Sequence, residues 1–285
     1  MLHDRKPRGI AAQSGERIGA LVTTVTAPMP TATTRKRRSL ASWTSDQLDL
    51  IVTPVLALIL LILLIVVWTY STFDPTTERI LEPSQLARQL WQQLYVAFFS
   101  TVIVVAVAIP IGILVTRESA PKVKDTLVSI LGLGQAIPAY GLIVLFFVWL
   151  GQGPTTVIIA LATFALLPVL RNTIVGLEQV DTSVIEAGKG MGMTGVQRLT
   201  RIELPLAVPV IMAGIRTATV INVGMATLAF LIGGGGLGET INAGLKLNRP
   251  TAIFIGAVLV ALVALLFDFL GGLAQRYCDP RVCDR

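Results

Sequence analysis

From Thr126 to Leu170 the chain runs for 45 residues without one Asp, Glu, Lys or Arg. A helix rises about 1.5 Å per residue and a bilayer's hydrocarbon core is about 30 Å thick, so an uncharged apolar stretch of about 20 residues crosses once. A stretch of twice that length must hold two helices, and Gly151, Gly153 and Pro154 supply the break between them. Uncharged runs also extend from Ile51 to Tyr70 and from Val96 to Val115, and two further apolar runs each carry a single charge. The pattern predicts six spans, near residues 51–70, 94–116, 125–150, 155–176, 206–232 and 251–273. The expected fold class is all-α, an integral membrane helical bundle. With 53% hydrophobic and 14% charged residues, against about 25% charge in an ordinary soluble domain, the composition excludes a disordered chain and argues against a water-soluble enzyme.

The first run ends in Trp68 and Tyr70, whose amphipathic rings favour a membrane interface. Fifty residues precede it and no small-residue cleavage site follows, so residues 49–72 are expected to stay in the mature chain as an additional N-terminal transmembrane helix. Residues 1–48 mix Ser, Thr, Pro and Gly with basic residues and lack apolar periodicity, which reads as a flexible basic tail. Eighteen Lys and Arg fall on one side of the predicted spans; only Arg79, Arg88, Lys246 and Arg249 fall on the other. That asymmetry places both termini, including the C-terminal tail 275–285, in the cytoplasm of a multi-pass protein of the cell (inner) membrane. The cluster Arg35 to Arg38 reads as a topology anchor on an anionic leaflet rather than a nucleic-acid contact. Cys278 and Cys283 read as reduced cytoplasmic thiols, and with His3 the only histidine there is no metal-ligand set.

Between the fourth and fifth predicted spans lies a cytoplasmic stretch from Asn172 to Glu203. Asp181 is placed to cap a short helix that Gly190 and Gly192 can end. Thr194, with Gln197 three residues later, forms a capping box that opens a second helix. In that helix Val196, Leu199 and Ile202 recur at helical spacing while Arg198 and Arg201 face elsewhere, so it can lie along the membrane face. Pro205 is expected to end it and to set a fixed bend into the fifth span. Such a lever suits passing a push from a soluble partner into the membrane.

Here the residues resemble a known family. Permease subunits of ABC importers carry a cytoplasmic signature of Glu-Ala-Ala, three residues, Gly, nine residues, then Ile-x-Leu-Pro. This chain has Glu186, Ala187, Gly188, then Gly192, Ile202, Leu204 and Pro205 at that spacing, with glycine at the third position as its one departure. Over residues 90–274 the phrases IPAYGL, LLPVLRNTIVGL, EAGKGMGMT, ELPLAVPVIMAGIRTATV and LIGGGGLGE look like those of osmoprotectant permeases that import glycine betaine, choline, carnitine or proline betaine. The resemblance implies a type I importer transmembrane fold. It also implies two cytoplasmic ATPase subunits, a second permease subunit (identical or paralogous) and an extracytoplasmic substrate-binding protein. The loop at 178–205 would then be the coupling helix seated in the ATPase. ATP and magnesium would bind the partner ATPase, and this chain would be a transporter subunit without a cofactor or catalytic residues of its own.

Absences in the sequence agree with that division. No G-x-x-x-x-G-K-[ST] phosphate loop occurs, and the run Gly233, Gly234, Gly235, Gly236 lacks the following Lys. The external loops are too short for a binding-protein domain. The glycine run is expected to make a tight re-entry at the outer end of the fifth span. Gln135, Pro138 and Asn222 are the other candidates for a pathway or gate, as polar side chains or a weak point within spans; they could equally bond across helices or be tolerated there. Arg216, inside the fifth span, should be paired or snorkelled, and Asp268 in the sixth is its natural partner. Direct contact of Arg216 with a cationic substrate is disfavoured by repulsion. Three other functions fit a six-span chain: an importer of the same architecture for another small substrate such as an amino acid, a secondary transporter driven by an ion gradient, and a scaffolding membrane protein that uses the cytoplasmic loop only as a docking site. The second typically shows internal repeats, and none is visible.

Overall fold

The computed structural model describes residues 40–117 and 121–278, and Leu48–Arg285 form one compact unit. Helices are the regular elements among the described residues. In chain order they form α1 (Leu40–Tyr70), α2 (Pro75–Ile80), α3 (Pro83–Arg117), α4 (Pro121–Ala136), α5 (Ala139–Leu150), α6 (Pro154–Glu178) and α7 (Thr182–Gly190). Then follow α8 (Gly195–Arg198), a π turn (Leu199–Glu203), α9 (Leu204–Met225), a 3-10 segment (Ala226–Ile232), α10 (Gly238–Lys246) and α11 (Pro250–Tyr277). The helix through the first span begins at Leu40, inside the stretch read as tail, whose residues 1–39 lie outside the described residues.

Five helices are long and apolar enough to cross a membrane, and a sixth crossing results if α4 and α5 count together. That pair corrects the expectation of one continuous helix over 125–150, because Lys124–Ala136 and Ala139–Leu150 meet at 96°. The cause is local. Pro138 has no N–H to donate and disfavours helical backbone at Ile137, so α4 stops and α5 restarts with Pro138 in the extended region (φ −55°, ψ 137°).

The second correction concerns Pro205. It does not end the helix that Thr194 opens: Gly195–Ile232 is one helical run of 38 residues. The π turn makes this possible. Leu204 N–H donates to Leu199 O, one residue further back than in an α-helix, and Pro205 follows in the first turn of α9, where a missing N–H is tolerated.

Helix α6 sits at the centre, with 61% of its most apolar window buried against 28% or less for the other spans. Val96, Ile143, Val157, Leu161 and Val223 pack together in one part of the core. Val104, Ala108, Val169, Leu170 and Ala218 continue it, and Leu177, Ala207 and Ile211 close it beside Leu199 and Leu204. The outward faces of α1, α3 and α5, including Leu58, Phe98 and Trp149, remain exposed and apolar, as a bilayer requires.

Candidate functional site

The segment between α6 and α9 is built almost entirely from local signals. Asp181 Oδ1 accepts from the Ser183 amide at 2.9 Å and starts α7. That backbone bond holds the Asp181 carboxyl below its ordinary value of 3.8. A carboxylate lowered in the folded state stabilises it fully above that value, and the contribution disappears as pH falls through the lowered one. Protection of the Ser183 amide in hydrogen exchange should accordingly fall below pH 3.8, and Asp181→Asn, which keeps a capping oxygen, should abolish that pH dependence.

Helix α7 stops at Gly190, and Gly192 (φ +78°) makes the left-handed turn that lets Met193 N–H reach Gly188 O at 3.1 Å. Next comes the reciprocal box: Gln197 N–H donates to Thr194 Oγ1 at 3.3 Å and Thr194 N–H donates to Gln197 Oε1 at 2.8 Å. Gly188, the departure from the importer signature, is buried, and a Cβ there would lie 2.9 Å from Ile202 Cδ1. The missing methyl is therefore the space that Ile202 occupies when α7 folds back on the π turn. Glu186 and Ala187 face outward, beside Met191 (74% exposed) and Val196 (71% exposed).

One pairing escaped the sequence. Arg117, at the end of α3, donates through Nη1 to Glu203 Oε1 at 3.1 Å and through Nη2 to Oε2. Glu203 is only 4% exposed, and this bidentate bond ties the segment between α6 and α9 to a core span. Glu203 fills the x of Ile-x-Leu-Pro, where the signature prescribes nothing. An acidic side chain within the apolar start of a span was the one available hint.

Among the proposed pathway residues, Asn222 and the glycine run are drawn together by α3. Fully buried Asn222 donates through Nδ2 to Thr101 Oγ1 at 3.0 Å. Gln93, also fully buried, donates to Val223 O at 2.8 Å and accepts from Leu237 N–H at 3.2 Å, while Gln92 Oε1 accepts from Gly236 N–H at 3.1 Å. Gly233, Gly235 and Gly236 all have positive φ, whereas Gly234 packs against Val157 and Ala229. At Gly235 (φ +73°) a Cβ would lie 2.2 Å from Gln92 Oε1. Gly235→Ala should thus cost about 1–3 kcal/mol, read as a lowered thermal midpoint of the purified permease. Gly224→Ala, where a Cβ meets nothing within 4 Å, should leave the midpoint unchanged. Gln135 is placed elsewhere and donates to Phe164 O on α6 at 3.1 Å, two residues before the Ile137-Pro138 break.

Arg216 and Asp268 meet squarely. Arg216 Nε and Nη2 donate to Asp268 Oδ1 and Oδ2 at 2.6 Å each, and Thr53 of α1 adds a 3.4 Å bond to Oδ2. Among the described residues no group of three His, Cys, Asp or Glu could hold a metal ion.

The family described as "Binding-protein-dependent transport system inner membrane component" matches residues 108–283. The carnitine transport permease protein OpuCB of Listeria monocytogenes is 43% identical over 193 residues, which is 68% of this chain and 88% of that protein. The glycine betaine/carnitine/choline transport system permease protein OpuCB of Bacillus subtilis is 38% identical over 197 residues, 69% of this chain and 90% of that one. A solved inward-facing conformation of the MetNI methionine ABC transporter superposes with a TM-score of 0.62 at 26% identity, covering 69% of this chain and 98% of that chain.

Proposed function

The chain belongs to the family of binding-protein-dependent transport system inner membrane components, and from that premise we propose that it forms one half of an ATP-driven import pathway for a small osmoprotectant. As a member it is a multi-pass membrane permease rather than an enzyme. The substrate class, glycine betaine, carnitine, choline or a similar quaternary ammonium, is supported by the names of relatives at 43% and 38% identity. In this reading residues 90–274 are the transport domain, α1 is an added helix, and both termini lie in the cytoplasm. A second permease subunit completes the pathway, a separate pair of subunits binds ATP and magnesium, and a binding protein delivers solute from outside.

The observation that carries the proposal is the segment from Asp181 to Pro205. It is rigid through its caps, and it presents Met191 and Val196 to a cytoplasmic partner beside exposed Glu186 and Ala187. An apolar patch of this kind outside the membrane marks a docking surface. From it the unbroken run Gly195–Ile232 leads to the glycine turn, roughly 57 Å along the chain's helical rise. Closure of the ATPase pair would push on α7 and α8, and the push would travel along this run and, through Arg117 and Glu203, along α3. The run ends at the turn Gly233–Gly236, which Gln92 and Gln93 of α3 clasp. A movement at one membrane face is in this way delivered to the other.

The test is uptake of radiolabelled glycine betaine into vesicles carrying the chain with its ATPase and binding protein. Vanadate-sensitive, ATP-dependent uptake is expected. Uptake that follows a proton or sodium gradient and ignores ATP would replace this reading with a secondary transporter.

A further inference from the structure

Arg216 is the only charged residue between Leu204 and Ile232, and Asp268 is the only acidic residue of α11. A pair held inside a membrane is seldom there for stability, because apolar residues of similar volume often serve the fold as well or better. An intramembrane ion pair points instead to use. Three features of this pair say what the use is.

The first is access. The two side chains keep 25% and 26% of their surface exposed, and both line a cavity of about 390 Å3 together with Thr217, Gln275, Ala213 and Val220. The second is that the surroundings are shaped for the guanidinium. A Cβ at Gly271 would lie 3.0 Å from Arg216 Cγ, and one at Gly272 would lie 3.3 Å from Nη1. Two successive glycines of α11 thus leave the slot through which Arg216 reaches Asp268. The third is charge. Taken together the pair is neutral, so the repulsion expected of a lone Arg216 toward a cationic solute is offset by Asp268 beside it.

We propose that Arg216 and Asp268 are a transit site for a small zwitterion. Its carboxylate lies against the Arg216 guanidinium and its ammonium end beside the Asp268 carboxylate, antiparallel to the ion pair. The inference rests on the import reading above and narrows its substrate class. In a low-dielectric cavity a lone cation or anion would leave an uncompensated charge, whereas a zwitterion laid across the pair alternates four charges and keeps the site neutral. A guanidinium carries five N–H donors in a planar fork, so one arginine can serve two carboxylates. Because the pair is already satisfied when no solute is present, solute binding is weak enough to permit release, as passage demands.

The experiment uses the full complex in vesicles and reads two quantities, uptake of glycine betaine and stimulation of ATP hydrolysis by the loaded binding protein. The charge exchange Arg216→Asp with Asp268→Arg keeps a pair but reverses its direction within the cavity. Thr217→Trp, at an exposed position of the same wall, fills the cavity and leaves the pair alone. Each is expected to lower uptake at least 10-fold while stimulation of hydrolysis persists. Normal uptake by both would overturn the site and leave the pair a packing device. If the exchanged chain does not assemble, Thr217→Trp alone decides by the same two readings. A wild-type complex without ATP-driven uptake would overturn the import reading, and the site with it.

Discussion

Chains carrying Glu186→Lys or Gly192→Asp are expected to reach the membrane in normal amount and yet to import about 100-fold more slowly, a loss of about 2.7 kcal/mol in the coupled step. Neither change touches the fold's interior. Glu186 is exposed, and surface substitutions of that kind usually shift stability by less than about 0.5 kcal/mol. Gly192 has φ +78°, where a side chain costs about 1–2 kcal/mol, but a Cβ there meets nothing within 4 Å. The new carboxylate therefore projects from the turn between α7 and α8, where the ATPase is proposed to sit. Membrane quantity, co-purification of the ATPase and vesicle uptake measure the three parts of the expectation. A double variant that imports normally would remove the segment from the mechanism.

The largest effect on stability is expected at the other end of that segment. Arg117→Leu strips the partner from a carboxylate that is 4% exposed, and breaking a buried pair from one side costs about 3–5 kcal/mol. Thermal unfolding of the purified permease should show this as a large fall in midpoint. Replacing both members, Arg117→Met with Glu203→Leu, should restore most of the midpoint, since two apolar residues leave no orphaned charge. Uptake by the restored chain should stay impaired if the bond links α3 to the proposed coupling segment, and full uptake would show that it serves folding alone.

The residues differ in how far ahead of the structure they could be read. The spans were legible because a bilayer imposes its thickness on any helix that crosses it, and the uncharged runs at 51–70 and 126–170 state that thickness in residues. The caps at Asp181 and Thr194 were legible because donor and acceptor lie within three residues of each other. The bends were half legible. Pro138 and Pro205 both announce a disturbed helix, yet one breaks its span by 96° and the other is absorbed in a π turn within an unbroken run. What separates them is not the proline but its setting: at Pro205 the carbonyl of Leu199 accepts the Leu204 amide and Glu203 is anchored to Arg117.

The sequence by itself determined where the chain can cross a membrane, where the loop between α6 and α9 begins and how it turns. All of these follow from solvent preference and from bonds between near neighbours. Only the tertiary structure decided that Arg117 grips Glu203 across 86 positions, that Gln92 and Gln93 clasp a glycine turn 144 positions away, and that Arg216 meets Asp268 across 52. A polar group inside a membrane must find a partner, but its own sequence context states only that need. Which group answers it depends on which helices the packing around α6 brings face to face.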